Sequence, residues 1–407
     1  MGFQQGLSGL NGAARNLEVI GNNVANANTV GFKSSRAQFS DVYANTLAGS
    51  TIGSIGIGTR VARVAQMFTQ GNVTSTNNPL DVAINGEGFF RLATNGTISF
   101  TRNGQFQLDN NGFIISTSGA HLTGFSADAT GNVTTGTPSD LRISRTDLAP
   151  LATTEASGGL NLDSRKAPLT AAGFNISNAA TYHGATSLST FDSLGNAHTL
   201  SLYFVKTAVN DYTVFAANDG VQVGATSVGD LKFTTDGALD TTATTLPFNL
   251  SIPVGGGATT PMTLALDFTG TTQFGTSFGV NDLTQNGYTA GKISGFNIGP
   301  DGIILGRYSN GQTLAQGQVA LTSFTNPQGL APQGNNQWAE TSTSGLPLVG
   351  APGAGVLGVL QSGSVEEANV DLTQELVNMI TAQRIYQANA QTIKTEDSLL
   401  QTIVNLR

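Results

Sequence analysis

The chain has 407 residues, too many for one hydrophobic core, so at least two globular units are expected. Apolar residues make up 39%, which excludes a disordered chain, while charged residues reach only 11%, under half the usual share. A formal charge of −8 argues against the basic face a nucleic-acid partner needs, and zero cysteines exclude disulfides, thiolate metal sites and a cysteine nucleophile.

Residues 1–30 read as a helix. Phe3, Leu10, Leu17 and Val24 step by seven, and Leu7, Ala14 and Gly21 interleave at the second seam position of a heptad. Gly2, Gly6, Gly9 and Gly12 weaken it by propensity, so it is expected to form only when packed. The first basic residue is Arg15 and no apolar run approaches the eighteen or so residues of a membrane span, so neither a cleaved secretory signal nor membrane insertion is expected. Residues 31–70 are expected to be an extended connector, Gly/Ser-rich from Ala44 to Gly58.

The grammar then changes to strands. Asn-Gly pairs at 85–86, 95–96, 103–104, 111–112, 286–287 and 310–311, and Asp-Gly pairs at 219–220, 236–237 and 301–302, sit beside short β-branched or aromatic runs, a hairpin signal. Ile98 to Thr101, Gln105 to Leu108 and Phe113 to Thr117 read as a meander. Composition changes around 145–185, which reads as a passage into an inserted outer domain of residues 145–285. Residues 71–144 and 286–363 then make an inner β domain.

All 12 prolines lie between Pro79 and Pro352, and the last glycine is Gly363, so residues 364–407 contain neither breaker and read as a helix. Asp371 is its N-cap, with Gln374 as a capping-box partner. Leu372, Met379, Tyr386, Ile393 and Leu400 recur every seven; Leu376, Ala390 and Val404 form the offset row, broken by Gln383 and Asp397. The fold class expected is therefore mainly β with helical N- and C-terminal segments: coiled-coil-type terminal helices plus two β-rich domains, the outer inserted into the inner.

Chemistry is sparse. His121, His183 and His198 lie far apart and in no metal-ligand spacing. Asp109 to Gly112 and Asp301-Gly302 lack the ligand series of a calcium loop. Glu366-Glu367 precede an amphipathic helix, where acidic residues favour the dipole. Gly86-Glu87-Gly88 lacks a third glycine and a following helix. No enzyme, cofactor or metal is expected. A tail of about 35 residues spans roughly 50 Å against roughly 33 Å for the N-terminal helix, so a third of it is expected to overhang with its seam bare. Ends that cannot satisfy each other are expected to order against several copies of the same chain, coupling folding to assembly. Amides such as Gln4, Gln5, Asn11, Asn16, Asn378, Gln387, Asn389 and Gln391 give these helices an uncharged polar face suited to a wet inner wall.

Asn22-Asn23-Val24-Ala25-Asn26-Ala27-Asn28-Thr29-Val30-Gly31-Phe32-Lys33 closely resembles the N-terminal signature of the flagellar rod and hook axial proteins. Pro79 to Ile84 with Gly88-Phe89-Phe90, then Thr101-Arg102-Asn103-Gly104, resembles their first β-domain motif. Asn369, Asp371, Gln383 and Arg384 fall in a stretch, Glu367 to Asn389, that looks like their shared C-terminal signature. Phe191 to His198, with Leu202 to Lys206, looks like the outer-domain motif of the hook branch. The insertion speaks against a rod subunit, the signature around Asn22 against a hook–filament junction subunit, and the single tryptophan, Trp338, against a secreted β-rich glycan-acting enzyme. The resemblance implies a structural subunit that self-polymerises into a curved, flexible tube, a universal joint between motor rod and filament. It also implies placement in the flagellar hook outside the cell after export by the flagellar type III apparatus. Expected partners are further copies, the distal rod protein, hook cap protein, hook–filament junction protein and hook-length ruler.

Overall fold

The computed structural model describes residues 2–42, 56–224 and 226–405. Two compact units emerge: one of residues 1–145, 295–307 and 313–407, the other of 146–294 and 308–312, against an expected insertion at 145–285.

The first unit begins with α1 (Gly2–Ala25) and continues into an antiparallel ribbon, β1 (Ser35–Val42) with β2 (Gly58–Gln66). Where composition suggested an extended connector, the chain doubles back and pairs with itself. Most of the Gly/Ser-rich stretch lies outside the described residues. β3 (Val73–Ser75) pairs with Ser364–Glu366, and β4 (Val82–Asn85) with Val359–Ser362, so the chain's return leg closes on its outward leg. β5 (Phe89–Thr94) and β6 (Thr97–Thr101) form a hairpin through Asn95-Gly96, both at positive φ of 49° and 85°, as the primed turn requires. The expected meander is only half present. Phe106–Leu108 pairs with Ile114–Ser116 across Asn111-Gly112, but Asn103-Gly104 closes no hairpin. Gly104 O accepts the Val82 N–H and Phe106 N–H donates to Leu80 O, so this stretch is held to β4's approach instead of to β6.

Core formation in this unit is aromatic. Phe89, Phe100, Phe324, Leu330 and Trp338 are buried together, and Phe68 meets Phe89 and Trp338 edge-on at 5.4 and 5.5 Å. Trp338 Nε1 donates to Gln66 Oε1 at the end of β2, fixing the ribbon's base to the sheet.

The second unit is a β sandwich. A four-stranded sheet (Phe248–Ile252, Met262–Asp267, Glu155–Asn161 and Gly279–Gln285) shares one core with a five-stranded sheet built on Gly184–Phe191, Ala197–Ala208 and Asp211–Asn218. Phe248–Ile252 alternates buried and exposed residues strictly, the period of a strand with one dry face. Leu202, Phe204, Tyr212, Leu264 and Phe268 fill the space between the sheets.

Phe204 is fully buried, so Phe204→Ala is expected to destabilise this unit by about 3–5 kcal/mol. Its denaturation midpoint by circular dichroism checks this; a shift below about 1 kcal/mol contradicts the assignment of Phe204 to the core.

Candidate functional site

The site comprises the two terminal helices and the buried node from which they leave the β structure. α2 (Leu372–Asn405) starts where the sequence places it: Asp371 Oδ1 accepts the N–H groups of Thr373 and Gln374, at 2.9 and 3.1 Å. Gln374 does not complete a capping box, because its side chain donates to Asn378 instead. α1 and α2 pack antiparallel. A Cβ on Gly6 would come within 3.1 Å of Ile393, and Gly2 and Gly9 face the side chains of Glu396 and Asn389. These glycines cost helix propensity but allow close approach of the partner helix. Gly12 serves the other side, touching Phe39 of β1.

This register leaves residues 397–405 projecting past the start of α1, about 13 Å of helix, shorter than the expected third of the tail. The buried row on α1 is Gly6, Ala13 and Ile20, one residue ahead of the predicted row Leu7, Ala14 and Gly21 and therefore rotated by about 100°. The predicted seam is only partly covered. Phe3 is 45% and Leu7 43% exposed, and Leu10, Ala14, Leu17 and Val24 are half-buried. On α2, Met379, Ala390 and Ile393 are half-buried and Ala382 is buried, whereas Leu372, Leu376, Tyr386 and Leu400 are exposed. The Val404 side chain lies outside the described residues.

The root of the helices is ionic and dry. Glu366, completely buried, receives Lys33 Nζ on Oε1 at 2.6 Å and Arg102 on Oε2 at 3.2 Å. Gly71 N–H donates to the same Oε1 at 2.9 Å, and Lys33 Nζ also donates to Thr69 O at 2.7 Å. Arg102 donates further to Gly86 O and lies over the Phe89 ring at 5.5 Å. Burial pulls both the Lys33 ammonium and the Arg102 guanidinium below their ordinary ranges, with the Glu366 carboxylate opposing it.

Amide side chains extend this node. Asn23 pairs with Ser35 as a strand would, Nδ2 donating to Ser35 O and Oδ1 accepting Ser35 N–H, each at 2.8 Å. Asn369 Oδ1 accepts Ser34 N–H at 2.7 Å while its Nδ2 donates to Met67 O at 2.7 Å. Gly31, at φ +71°, donates to Glu366 O and lies so close to the Asn103 backbone that any Cβ would collide with it.

Of the residues singled out by resemblance, Asn23, Gly31, Lys33, Asn369 and Asp371 are thus structural. Phe32 is half-buried, and Asn26 Nδ2 donates to Asn22 O within the helix end. Asn28, Gln383 and Arg384 are exposed. Glu366 was expected to complement the helix dipole; it instead points inward from its strand, and only Glu367 is exposed. Nothing local in the sequence signals this, since Lys33 lies 333 residues away.

The three histidines are consumed by local contacts: His121 with Asp140 at 2.8 Å, His183 with Ala167 O, and His198 between Asp219 at 2.7 Å and Asp192 at 3.5 Å. The Asp109 carboxylate accepts the N–H groups of Asn111 and Phe113, closing the turn. Among the described residues no cluster of metal-ligating side chains occurs, and no helix is long and apolar enough to cross a membrane.

Paired terminal helices with part-exposed apolar rows are rooted in the first β-rich unit, and the matches to known proteins place the chain in the flagellar axial class. Four family profiles match in order: "Flagella basal body rod protein" over residues 3–33, "Flagellar hook protein FlgE/F/G D1 domain" over 83–146, "Flagellar basal body protein FlaE D2 domain" over 161–288, and "Flagellar basal body rod FlgEFG protein C-terminal" over 361–406. The chain is 44% identical to the flagellar hook protein FlgE of Escherichia coli K12, each covered completely. It is 34% identical to that of Borreliella burgdorferi, over 99% of this chain and 98% of the relative. The crystal structure of Helicobacter pylori flagellar hook protein FlgE2 shares the fold at TM-score 0.52 and 14% identity, over 72% of this chain and 99% of that one. The chain belongs to the flagellar hook protein FlgE family, whose members are structural subunits of the hook.

Replacing Glu366 by glutamine leaves two buried cations without a counter-charge. Glu366→Gln is expected to cost about 3–5 kcal/mol, read as a fall in the denaturant midpoint of Trp338 fluorescence. A loss below about 1 kcal/mol contradicts the node's structural weight.

Proposed function

We propose that this chain polymerises into the flexible, curved tube of the hook, which joins the motor rod to the filament and transmits torque. The terminal helices form the inner tube, and the two β units form outer layers that slide against neighbours as the tube bends. The part-exposed apolar rows carry this reading: Phe3, Leu7, Leu372, Leu376, Tyr386 and Leu400 keep between 38% and 55% of their surface open within the subunit. Exposed apolar surface of this extent on helices is a contact waiting for a partner. Low overall charge suits sliding layers, because strong ion pairs lock one geometry.

Subunits reach the growing tip through the flagellar type III export apparatus. They add beneath the hook cap protein and stop at a length set by the hook-length ruler. The distal rod protein adjoins one end of the tube and the hook–filament junction protein the other.

Leu7→Asp combined with Leu400→Asp changes exposed positions and is expected to leave the thermal melt of the β units unchanged while abolishing tubes. Electron microscopy of concentrated protein decides. Curved tubes from the native chain and none from the variant support the proposal; normal tubes from the variant contradict it.

A further inference from the structure

A groove of about 590 Å³ runs between α1, β1 and α2, in which Val19, Ile20, Phe39, Met67 and Ile385 form an apolar strip among polar residues such as Asn16, Ser35 and Asn378. At its wall stands Glu375, in the first turn of α2. Its Oε1 accepts a long hydrogen bond of 3.4 Å from Asn23 Nδ2, but its Oε2 is buried and has no partner among the described residues. Arg36 also lines the groove, with its side chain exposed and not bonded to that oxygen. A buried carboxylate oxygen left unpaired costs free energy comparable to a lost charged hydrogen bond, so this groove is incomplete.

The complement is on the same molecule. Arg384 is exposed on α2 and forms no ion pair among the described residues. It lies on one face with Val377 and Ile380, which are 53% and 51% exposed. Glu375 and Arg384 are nine positions apart, two and a half turns, so they project from opposite sides of α2 about 13 Å apart along its axis. Within one subunit they can never meet.

We propose that the groove receives α2 of a second copy, with Val377 and Ile380 against its apolar strip and Arg384 pairing with Glu375, whose unpaired oxygen turns out into the groove to meet it. This deepens the polymerisation reading and rests on it. Because groove and plug occupy different sides of the subunit, the contact is head-to-tail: each copy that fills a groove offers its own empty one. Such a contact does not close a dimer and propagates into an open helical array. The guanidinium suits the role, since its planar fork binds a carboxylate in a fixed geometry.

The test uses tubes grown from the full chain, with native protein as the control for polymerisation itself. Arg384→Glu and Glu375→Arg are each expected to raise the protein concentration needed for tubes by at least roughly tenfold, and the double variant to restore it. Singles that polymerise as the native chain does, or a double that remains defective while Trp338 fluorescence shows a folded subunit, overturn the proposal. A second measurement does not depend on the swapped variants folding. Tubes of R384K grown from mixed isotopically light and heavy subunits are treated with a carbodiimide, which joins a carboxylate to an amine in contact with it. Mass spectrometry is expected to find position 384 of one copy joined to Glu375 of another. Tubes that cross-link elsewhere but not there overturn the pairing while leaving polymerisation standing, and native protein that builds no tubes overturns the polymerisation reading instead.

Discussion

A carboxylate held between two cations out of reach of water is expensive to assemble and still more expensive to break, because removing one member strands the others. Glu366 holds Lys33 and Arg102 in this way, and accepts Gly71 N–H as well. These residues come from the segment following α1, the stretch after the ribbon, the residue after β6 and the strand that leads into α2. One side chain therefore ties both ends of the polypeptide to one β body. A subunit that passes force from helices to β layers needs such a joint, and hydrogen bonds between exposed loops would creep under load. Asn23 and Asn369 stiffen it by pairing with strand backbone at Ser35, Ser34 and Met67.

Beyond the joint, the helices follow the opposite rule. Their close approaches are made by glycines of α1, Gly2, Gly6 and Gly9, which face Glu396, Ile393 and Asn389 of α2 and let the helices come close. Several larger side chains, Phe3 and Leu7 on α1 and Leu372, Leu376 and Leu400 on α2, stay part-exposed. Each subunit is thus firmly rooted and incompletely covered, a combination that makes neighbours necessary without making the isolated chain collapse. The projecting end of α2, with Leu399 and Leu400 bare, repeats this at the tip.

Much of this was legible in the amino-acid order. The clustering of prolines and glycines marked off α2, Asp371 announced its start, and Asn95-Gly96 announced a hairpin. The heptad rows of α1 and α2 did not carry which row faces inward. Choosing Gly6, Ala13 and Ile20 over Leu7, Ala14 and Gly21 depends on how closely α2 can approach, a tertiary property that periodicity does not carry. Asn103-Gly104 misled because turn chemistry is local, whereas the backbone partners of this stretch, Leu80 and Val82, come from the approach to β4 and its first residue. Glu366 misled most. Its neighbour Glu367 and the nearby helix suggested a role at the helix dipole, and only the fold brings Lys33 and Arg102 to it.

The central claim is that the helices are anchored by the subunit but completed by its copies, and amide hydrogen exchange in free subunit and in tube tests it most directly. Amides around the node, in residues 31–35, 69–73 and 364–367, should be protected in both states. Amides of α1 and of α2 beyond Leu376 should exchange readily in the free subunit and slow by orders of magnitude in the tube. Helices as protected in the free subunit as in the tube would contradict the account.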